Sequence, residues 1–175
     1  MSRKIVLYIA VSLDGYIATK DDCLEWLFKT EGDGDNGYSD FYNTIDTIIL
    51  GRRTYEWILN QEGDNFPYKG KQCYVFSNTR HGKDQNVIFV NRNIAELAEK
   101  LKQTDGKNIW IVGGGELLHG FMEQRLVDEW IINIAPTIIG DGIPLFKKLD
   151  FETRLILKDV RRINQFTELH YESAC

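Results

Sequence analysis

Short apolar runs alternate along the chain with stretches of helical period. The first run, Ile5–Val11, is continuously apolar and rich in β-branched residues, which is typical of a strand covered on both faces. Further runs of this kind predict strands near 47–50, 73–76, 87–90 and 109–112. The intervening sequence predicts helices near 37–44, 54–60, 93–103 and 116–124. Within Ile94–Leu101 the apolar residues recur at i, i+3, i+4 and i+7, as on one face of a helix.

Strands that alternate with helices are typical of a parallel sheet with helices on both faces. The C-terminal part differs, because strand-like runs at 127–134, 153–161 and 166–171 follow one another, with Asn164-Gln165 placed for a hairpin turn. We therefore expect an α/β fold of three layers, with a mostly parallel central sheet and antiparallel C-terminal edge strands. No linker or repeat interrupts the pattern, so residues 1–175 are expected to form a single domain.

Two glycine-containing segments, Glu31–Gly37 and Gln61–Lys71, are interpreted as mobile active-site loops. The Asp33-Gly34-Asp35 run raises calcium binding as an alternative. It departs from the fixed ligand offsets of an EF-hand loop, so a solvated loop is favoured.

The composition argues against several classes of function. With 21 Lys and Arg against 26 Asp and Glu, the net charge of −5 offers no overall basic face for nucleic acid. The apolar runs are far shorter than the roughly 18 residues of a membrane span. Cys23, Cys73 and Cys175 are too widely spaced for a CxxC site, and the three histidines have no partners at metal spacing. We expect a cytoplasmic protein with a small-molecule substrate and no metal, membrane or nucleic-acid partner.

The segment Ile109–Leu118 carries the most informative chemistry. A buried strand runs into three glycines and then into a helix start. Glycine lets another group approach the main chain closely, and the free N–H groups of a helix N-terminus suit a phosphate. The spacing fits neither the Rossmann fingerprint nor a P-loop. A nucleotide site and a tight turn without a ligand both remain open from this segment alone.

Three further strand ends carry polar groups. Gly51-Arg52-Arg53-Thr54 follows the second predicted strand, Ser77-Asn78 with Arg80 follows the third, and Asp14-Gly15 follows the first. Ligands of open α/β sheets bind beyond the carboxyl ends of the strands. Taken together, these ends favour one extended polyanionic ligand, although a basic turn and an ordinary Asp-Gly turn are alternatives for single segments.

These segments occur in the order of the motifs of the dihydrofolate reductase superfamily, which the chain resembles over nearly its full length. The resemblance is closest to the reductase domain of riboflavin biosynthesis, the RibD C-terminal domain, and to its small stand-alone relatives. The matching segments are Ser12–Ala18, Leu50–Tyr55, Val75–Ser77, Val112–Glu116 and Pro136–Phe146.

The resemblance implies NADPH as the hydride donor. The residues that it places at the pyrophosphate, with a cis peptide between the first two, are Gly113, Gly114, Gly115, Glu116 and Leu117. Those at the phosphates are Gly51, Arg52 and Thr54. Ser77 and Asn78 are expected near the adenosine 2′-phosphate. The residues expected to border the nicotinamide are Ala10, Ile17 and Ala18.

On the substrate side, the resemblance implies that Asp14 lies near the substrate and nicotinamide and acts in catalysis. Glu25 is the candidate proton donor, with a helix surface charge as the alternative, because the acid position of dihydrofolate reductase itself falls on Cys23 or Leu24. Residues expected to line the substrate pocket are Trp26, Pro144 and Phe146, with loop packing as the alternative for the last two.

The resemblance therefore implies an NADPH-dependent reductase of a small heteroaromatic or carbonyl substrate, similar to 5-amino-6-(5-phosphoribosylamino)uracil reductase. The alternatives are a catalytically inactive nucleotide-binding protein of the same fold and a true dihydrofolate reductase. A homodimer that pairs through edge strands is also expected.

Overall fold

The computed structural model describes residues 2–91 and 93–174. Its helices are α1 (Glu25–Phe28), α2 (Tyr38–Tyr42), α3 (Arg52–Glu62), α4 (Ile94–Lys102) and α5 (Gly115–Glu123). Its strands are β1 (Ile5–Ser12), β2 (Tyr16–Ala18), β3 (Ile45–Gly51), β4 (Gln72–Phe76), β5 (Gly82–Lys83), β6 (Ile88–Val90), β7 (Asn108–Gly113), β8 (Glu129–Ala135), β9 (Ile143–Pro144), β10 (Leu155–Ile163) and β11 (Phe166–Ser173). Within these residues, no helix has both the length and the apolar character needed to cross a membrane.

One sheet carries the strands in the order β10-β11-β8-β1-β7-β3-β4-β6-β5. The neighbours from β8 to β6 pair in parallel, whereas β11 is antiparallel to both β8 and β10. The predicted α/β fold with antiparallel C-terminal strands is thus confirmed. The short elements α1, β2, β5 and β9 were not predicted, because elements of two to four residues leave no readable period in a sequence.

Helices cover the sheet on both faces, which confirms the three layers. On one face, Leu97 of α4 and Phe121 of α5 pack against the β1 residues Ile5 and Leu7. On the other face, α2 and α3 pack over a second apolar cluster that includes Val6. Successive β1 residues belong to opposite clusters because side chains alternate across a strand.

The prediction of a mobile active-site loop at residues 61–71 is wrong. Phe66 and Tyr68 are 3% and 9% exposed, and the Tyr68 ring meets Trp110 edge-on at 5.6 Å. The segment leads into the N-terminal end of β4, so it lies at the sheet edge opposite the glycine-rich strand ends. The pattern of glycine and proline gave no indication of the two buried rings.

The other glycine-rich segment, residues 31–37, is held against the C-terminal hairpin. The predicted turn between β10 and β11 is present, and Asn164 Nδ2 donates hydrogen bonds to Asp33 O at 2.9 Å and Asn36 Oδ1 at 2.6 Å. Asp35 accepts backbone hydrogen bonds from Gly37 and Ser39 at 3.0 and 2.9 Å. The Asp35 carboxylate therefore stabilises the turn that precedes α2 and the first residues of the helix.

Candidate active site

Two glycine bends meet at the carboxyl ends of β3 and β7. The strands are parallel neighbours with Leu50 in register with Gly113. A Cβ atom built on Gly51 would lie 3.4 Å from Gly113 O and 3.5 Å from Gly114 N. One ligand can bind at both bends only if they face each other, and the structure brings them into contact.

Each bend is followed at once by a helix that begins without a side-chain cap. Gly51 is the N-cap of the 11-residue α3, and Gly114 is the N-cap of the 9-residue α5. The first backbone N–H groups of a helix have no partner within the helix, and the helix dipole makes this end positive. Two such ends at one point form a cradle that suits the negative oxygens of a pyrophosphate.

Thr54 closes this cradle on the α3 side. A Cβ atom on Gly114 would lie 3.5 Å from Thr54 Oγ1, so the hydroxyl faces the glycine bend. The peptide between Gly113 and Gly114 is cis, as the resemblance implied. Gly113 has a φ of 132°, in a region that other residues rarely adopt.

The adjacent arginines at the start of α3 differ in their partners. Arg53 Nη2 donates to Asp22 Oδ2 at 2.6 Å, which neutralises its charge. The nearest carboxylate oxygen recorded for Arg52 lies 3.9 Å away, on Glu56 of the same helix. Arg52 is therefore the guanidinium that remains available for a phosphate.

Glu116 and Lys147 pair across the first turn of α5. The side chain of Glu116 is 84% exposed, and its carboxylate accepts a hydrogen bond from Lys147 Nζ. A Cβ atom on Gly115 would lie 3.3 Å from Pro144 O, so the segment after β9 packs directly on this helix start. Lys147 offsets the carboxylate charge at the place where an anionic ligand would bind.

The strand end after β4 is shaped by Ser77. Its side chain is 5% exposed, and Oγ accepts backbone hydrogen bonds from Thr79 at 3.3 Å and Arg80 at 3.0 Å. Asn78 and Arg80 are exposed beside it, and the Arg80 guanidinium lies 5.7 Å from the centre of the Phe89 ring. Ser77 thus builds the turn that presents Asn78 and Arg80 to solvent.

Asp14 links two chain segments beyond the end of β1. Its carboxylate accepts hydrogen bonds from Ser12 Oγ at 2.7 Å, Ile139 N at 3.2 Å and Gly140 N at 2.8 Å. These donors, the Ser12 hydroxyl first, lower the pKa of Asp14 below its ordinary value. Asp14 is therefore a carboxylate at neutral pH, which suits positioning of this loop better than donation of a proton.

Glu25 lies on the outer face of α1. Its side chain is 69% exposed, and its carboxylate lies 3.3 Å from Lys29 Nζ, one turn further along. This placement favours the interpretation as a helix surface charge over that as a proton donor.

Trp26 lines a cavity of about 300 Å³ between α1 and the carboxyl end of β8. Other lining residues include Thr30, Pro136, Thr137 and Gln165. The indole Nε1 of Trp26 is buried and donates to no residue among those that the structure describes. The position of Trp26 in the lining of this cavity is consistent with the predicted substrate contact.

The predicted nicotinamide and substrate walls lie on β1, β2 and β9. Ala10 is half-buried on β1, and Ala18 of β2 is paired with Ile143 of β9. Pro144 is exposed and paired with Tyr16. These contacts bring the loop before α1 and the loop after β8 together at the same edge as the phosphate cradle.

Ile17 and Phe146 pack in part against the apolar interior. Ile17 is half-buried and contacts the cluster under α4 and α5. Phe146 is 45% exposed, and its ring centre lies 6.2 Å from that of Trp130. Phe146 therefore contributes to loop packing, which was the alternative interpretation for this residue.

Tyr8, Asn133 and Lys147 were not assigned to the site from the sequence. Tyr8 and Asn133 lie within runs that read simply as strands, and only the register of β1 and β8 places them beside Ala10. Lys147 belongs to a Lys-Lys pair that is solvated in most contexts, and its contact with Glu116 depends on the path of the chain after β9.

Residues 3–168 match the model of the RibD C-terminal domain. The uncharacterized protein YwjB of Bacillus subtilis (strain 168) is 50% identical over 175 residues, which cover 99% of this chain and 100% of that protein. The uncharacterized protein YyaP of the same organism is 39% identical, over 90% of this chain and 87% of its own length.

Two solved structures are similar to this chain over almost all of its length. A protein of Shewanella sp. PV-4, with a suggested place in riboflavin biosynthesis, has a TM-score of 0.87 and 28% identity over 100% of both chains. The deaminase and 5-amino-6-(5-phosphoribosylamino)uracil reductase of Thermotoga maritima has a TM-score of 0.75 and 12% identity, over 99% of this chain and 57% of that one. The second likeness shows the fold alone.

Proposed function

This chain belongs to the RibD C-terminal domain family, and we propose that it is an NADPH-dependent reductase of a small heteroaromatic or carbonyl substrate. The family supports an oxidoreductase, and the cofactor and substrate are inferred from the site. The observation that carries the proposal is the meeting of two uncapped helix N-termini at Gly51 and Gly114.

The residues of the cradle fit the diphosphate of a dinucleotide. The backbone N–H groups at the start of α3 and α5 would hold the pyrophosphate oxygens, with the Thr54 hydroxyl and the Arg52 guanidinium beside them. A side chain at Gly51 would extend into this space, since its Cβ atom would lie 3.4 Å from Gly113 O. Asn78 and Arg80 would take the adenosine end, where a 2′-phosphate distinguishes NADPH from NADH.

Bound NADPH would supply a hydride to the electrophilic carbon of a C=N or C=O bond. The chain's own part is to hold the substrate between Ala10 and the cavity at Trp26, and to fix the loop at Gly140 through Asp14. The nitrogen or oxygen of the reduced bond takes one proton, which completes the two-electron reduction. Because Asp14 is a carboxylate and Glu25 faces solvent, we assign that proton to water.

The proposal is tested by titrating the purified protein with NADPH and NADH, with tryptophan fluorescence as the readout. We expect saturation by NADPH in the micromolar range and weaker binding of NADH. NADPH consumption is then followed against pteridines and aminopyrimidinone ribosides. An absence of NADPH binding at millimolar concentration contradicts the proposal.

The exposed position of Glu25 supports a second candidate, a nucleotide-binding protein that has kept the fold without catalysis. It predicts saturable NADPH binding with no turnover of any compound in the panel. Specific turnover of one substrate excludes this candidate.

A further inference from the structure

A second cavity lies at the amino-terminal end of β4, at the opposite end of the sheet from the phosphate cradle. Its volume of about 390 Å³ is that of a small-molecule pocket. Gly51 of the cradle is in register with Phe76, whereas the cavity is lined by Gln72, four residues earlier and about 13 Å away along the strand. A ligand in this cavity would therefore not occupy the cradle.

The lining of this cavity combines apolar and cationic side chains. Phe66 is buried and Ile88 is half-buried, so Ile88 leaves some apolar surface open to the cavity. The cationic lining residues are Lys69, Lys71 and Lys83. Among the residues that the structure describes, none that lines the cavity is Asp or Glu. Three cations without a facing anion are unexpected in a chain whose net charge is −5.

Lys71 is held in place by neutral groups. Its Nζ donates hydrogen bonds to Tyr42 O at 3.1 Å and Ile45 O at 2.7 Å, and it lies 4.3 Å from the centre of the Tyr42 ring. Carbonyl oxygens and an aromatic ring stabilise an ammonium group but do not cancel its charge. The half-buried Lys71 therefore raises the electrostatic potential of the cavity that it lines.

Lys69 and Lys83 add two exposed ammonium groups. The carboxylate next to Lys83 in sequence, that of Asp84, is engaged elsewhere, because its Oδ1 accepts from Val87 N at 2.7 Å and its Oδ2 accepts from the Tyr55 hydroxyl. Within residues 2–91 and 93–174, neither Lys69 nor Lys83 forms an ion pair with a carboxylate. The positive charge of the cavity is thus left for a ligand.

We propose that this cavity binds a small organic phosphate, with the phosphate among the three lysines and the apolar part of the molecule on Ile88. A phosphate monoester is close to a dianion at neutral pH, so several lysines suit it better than they suit a single carboxylate. The side-chain amides of Gln72 and Asn86, which also line the cavity, can donate to its oxygens. The site is additional to the proposed function and does not depend on it.

The test is a titration of the isotope-labelled full chain with phenyl phosphate, followed by amide NMR spectra. We expect the backbone signals of Gly70 and Asn86, which line the cavity, to shift and to saturate with a Kd in the low millimolar range, as is usual for a ligand of this size. Phenol has the apolar part without the charge, and inorganic phosphate has the charge without the apolar part. Each is expected to bind about fivefold more weakly or worse.

Lys83→Gln removes one cation from the lining and is expected to raise the Kd for phenyl phosphate about fivefold. Lys100→Gln is the matched control, because Lys100 is exposed on α4 and does not line the cavity, so its Kd should equal that of the wild type. The signals of Gly51 and Gly114 report any binding at the cradle in the same spectra. Shifts confined to those two glycines, shifts that do not saturate, equal binding of phenol, or an equal Kd in the two variants would each overturn the assignment.

Discussion

Arg52 and Arg53 are adjacent in sequence but differ in how closely each is paired with a carboxylate. Both were possible phosphate ligands on chemistry alone. Arg53 is fixed by Asp22 at 2.6 Å, and Arg52 has only a 3.9 Å contact within its own helix. A guanidinium that is already paired loses that partner when it binds a phosphate, so its net contribution to affinity is smaller.

We predict that Arg52→Ala weakens NADPH binding about tenfold, because a charge-assisted hydrogen bond to phosphate is lost. Arg53→Ala is the matched control and is expected to change the Kd less than threefold. Both are measured by fluorescence titration at low and high salt, and the difference between them should shrink as salt rises. Equal losses in the two variants would show that Arg52 has no special role.

Between elements, Asp14 joins the turn after β1 to the loop after β8. Two of its three hydrogen bonds hold Ile139 and Gly140 at the site edge, while Leu13 N donates to Thr137 O at 2.8 Å in the same region. The Asp14 contacts depend on the ionised carboxylate, since each donor stabilises the negative charge and lowers the pKa. The Asp14 carboxylate, on the surface of the protein, thus holds the loop at Ile139 and Gly140 in place at the candidate site.

We predict that Asp14→Asn lowers kcat/KM about tenfold, because the loop that borders the substrate is held less firmly. The pKa of Asp14 is lowered in the folded state, so its stabilising effect is complete above the unfolded pKa of about 3.9 and is lost as pH falls through the folded value. The difference in urea midpoint between wild type and Asp14→Asn should therefore be constant from pH 8 to pH 5 and contract below about pH 4.

Asp21 is exposed in the turn between β2 and α1. Asp21→Asn is therefore the control for the loss of one surface charge. It should not show the loss of kcat/KM. A constant difference down to pH 3 for Asp14→Asn would contradict the role given to its carboxylate.

At the scale of the whole molecule, β10 is the outer strand of the sheet and carries three exposed apolar side chains among exposed charged ones. Ile156, Leu157 and Val160 are each between 52% and 54% exposed. An edge strand with unpaired backbone groups and exposed apolar side chains is a template for pairing with another chain. We propose that a second copy covers it, which is the homodimer expected from the sequence.

Multi-angle light scattering should then give twice the chain mass of 20.3 kDa for the wild type. Val160→Lys is expected to shift the mass towards that of one chain. Ile138→Lys changes a residue that is 70% exposed and does not belong to β10, so it should leave the mass unchanged. A wild-type mass of one chain at high protein concentration would refute the dimer.

Much of this architecture could be predicted from local patterns. The apolar run at Ile5–Val11 and the helical period at Ile94–Leu101 correspond to β1 and α4, and the hairpin turn at Asn164 lies where predicted. These features depend on residues close together in the chain. The segment at 61–71 shows the limit, since the burial of Tyr68 depends on Trp110, more than forty residues away, and Phe66 packs in turn on Tyr68.

In the candidate site, too, some features could be predicted from the local sequence and others depend on the tertiary structure. By itself, the sequence determined which strand ends carry glycine, arginine and aspartate, because turn chemistry and helix starts are local properties. Only the tertiary structure decided that Gly51 meets Gly113, that Arg53 is fixed by Asp22 while Arg52 has the long contact to Glu56, and that Asn133 is buried beside Ala10. Those facts depend on strand order and register, which set the neighbours of a side chain across the sheet and which no local pattern encodes.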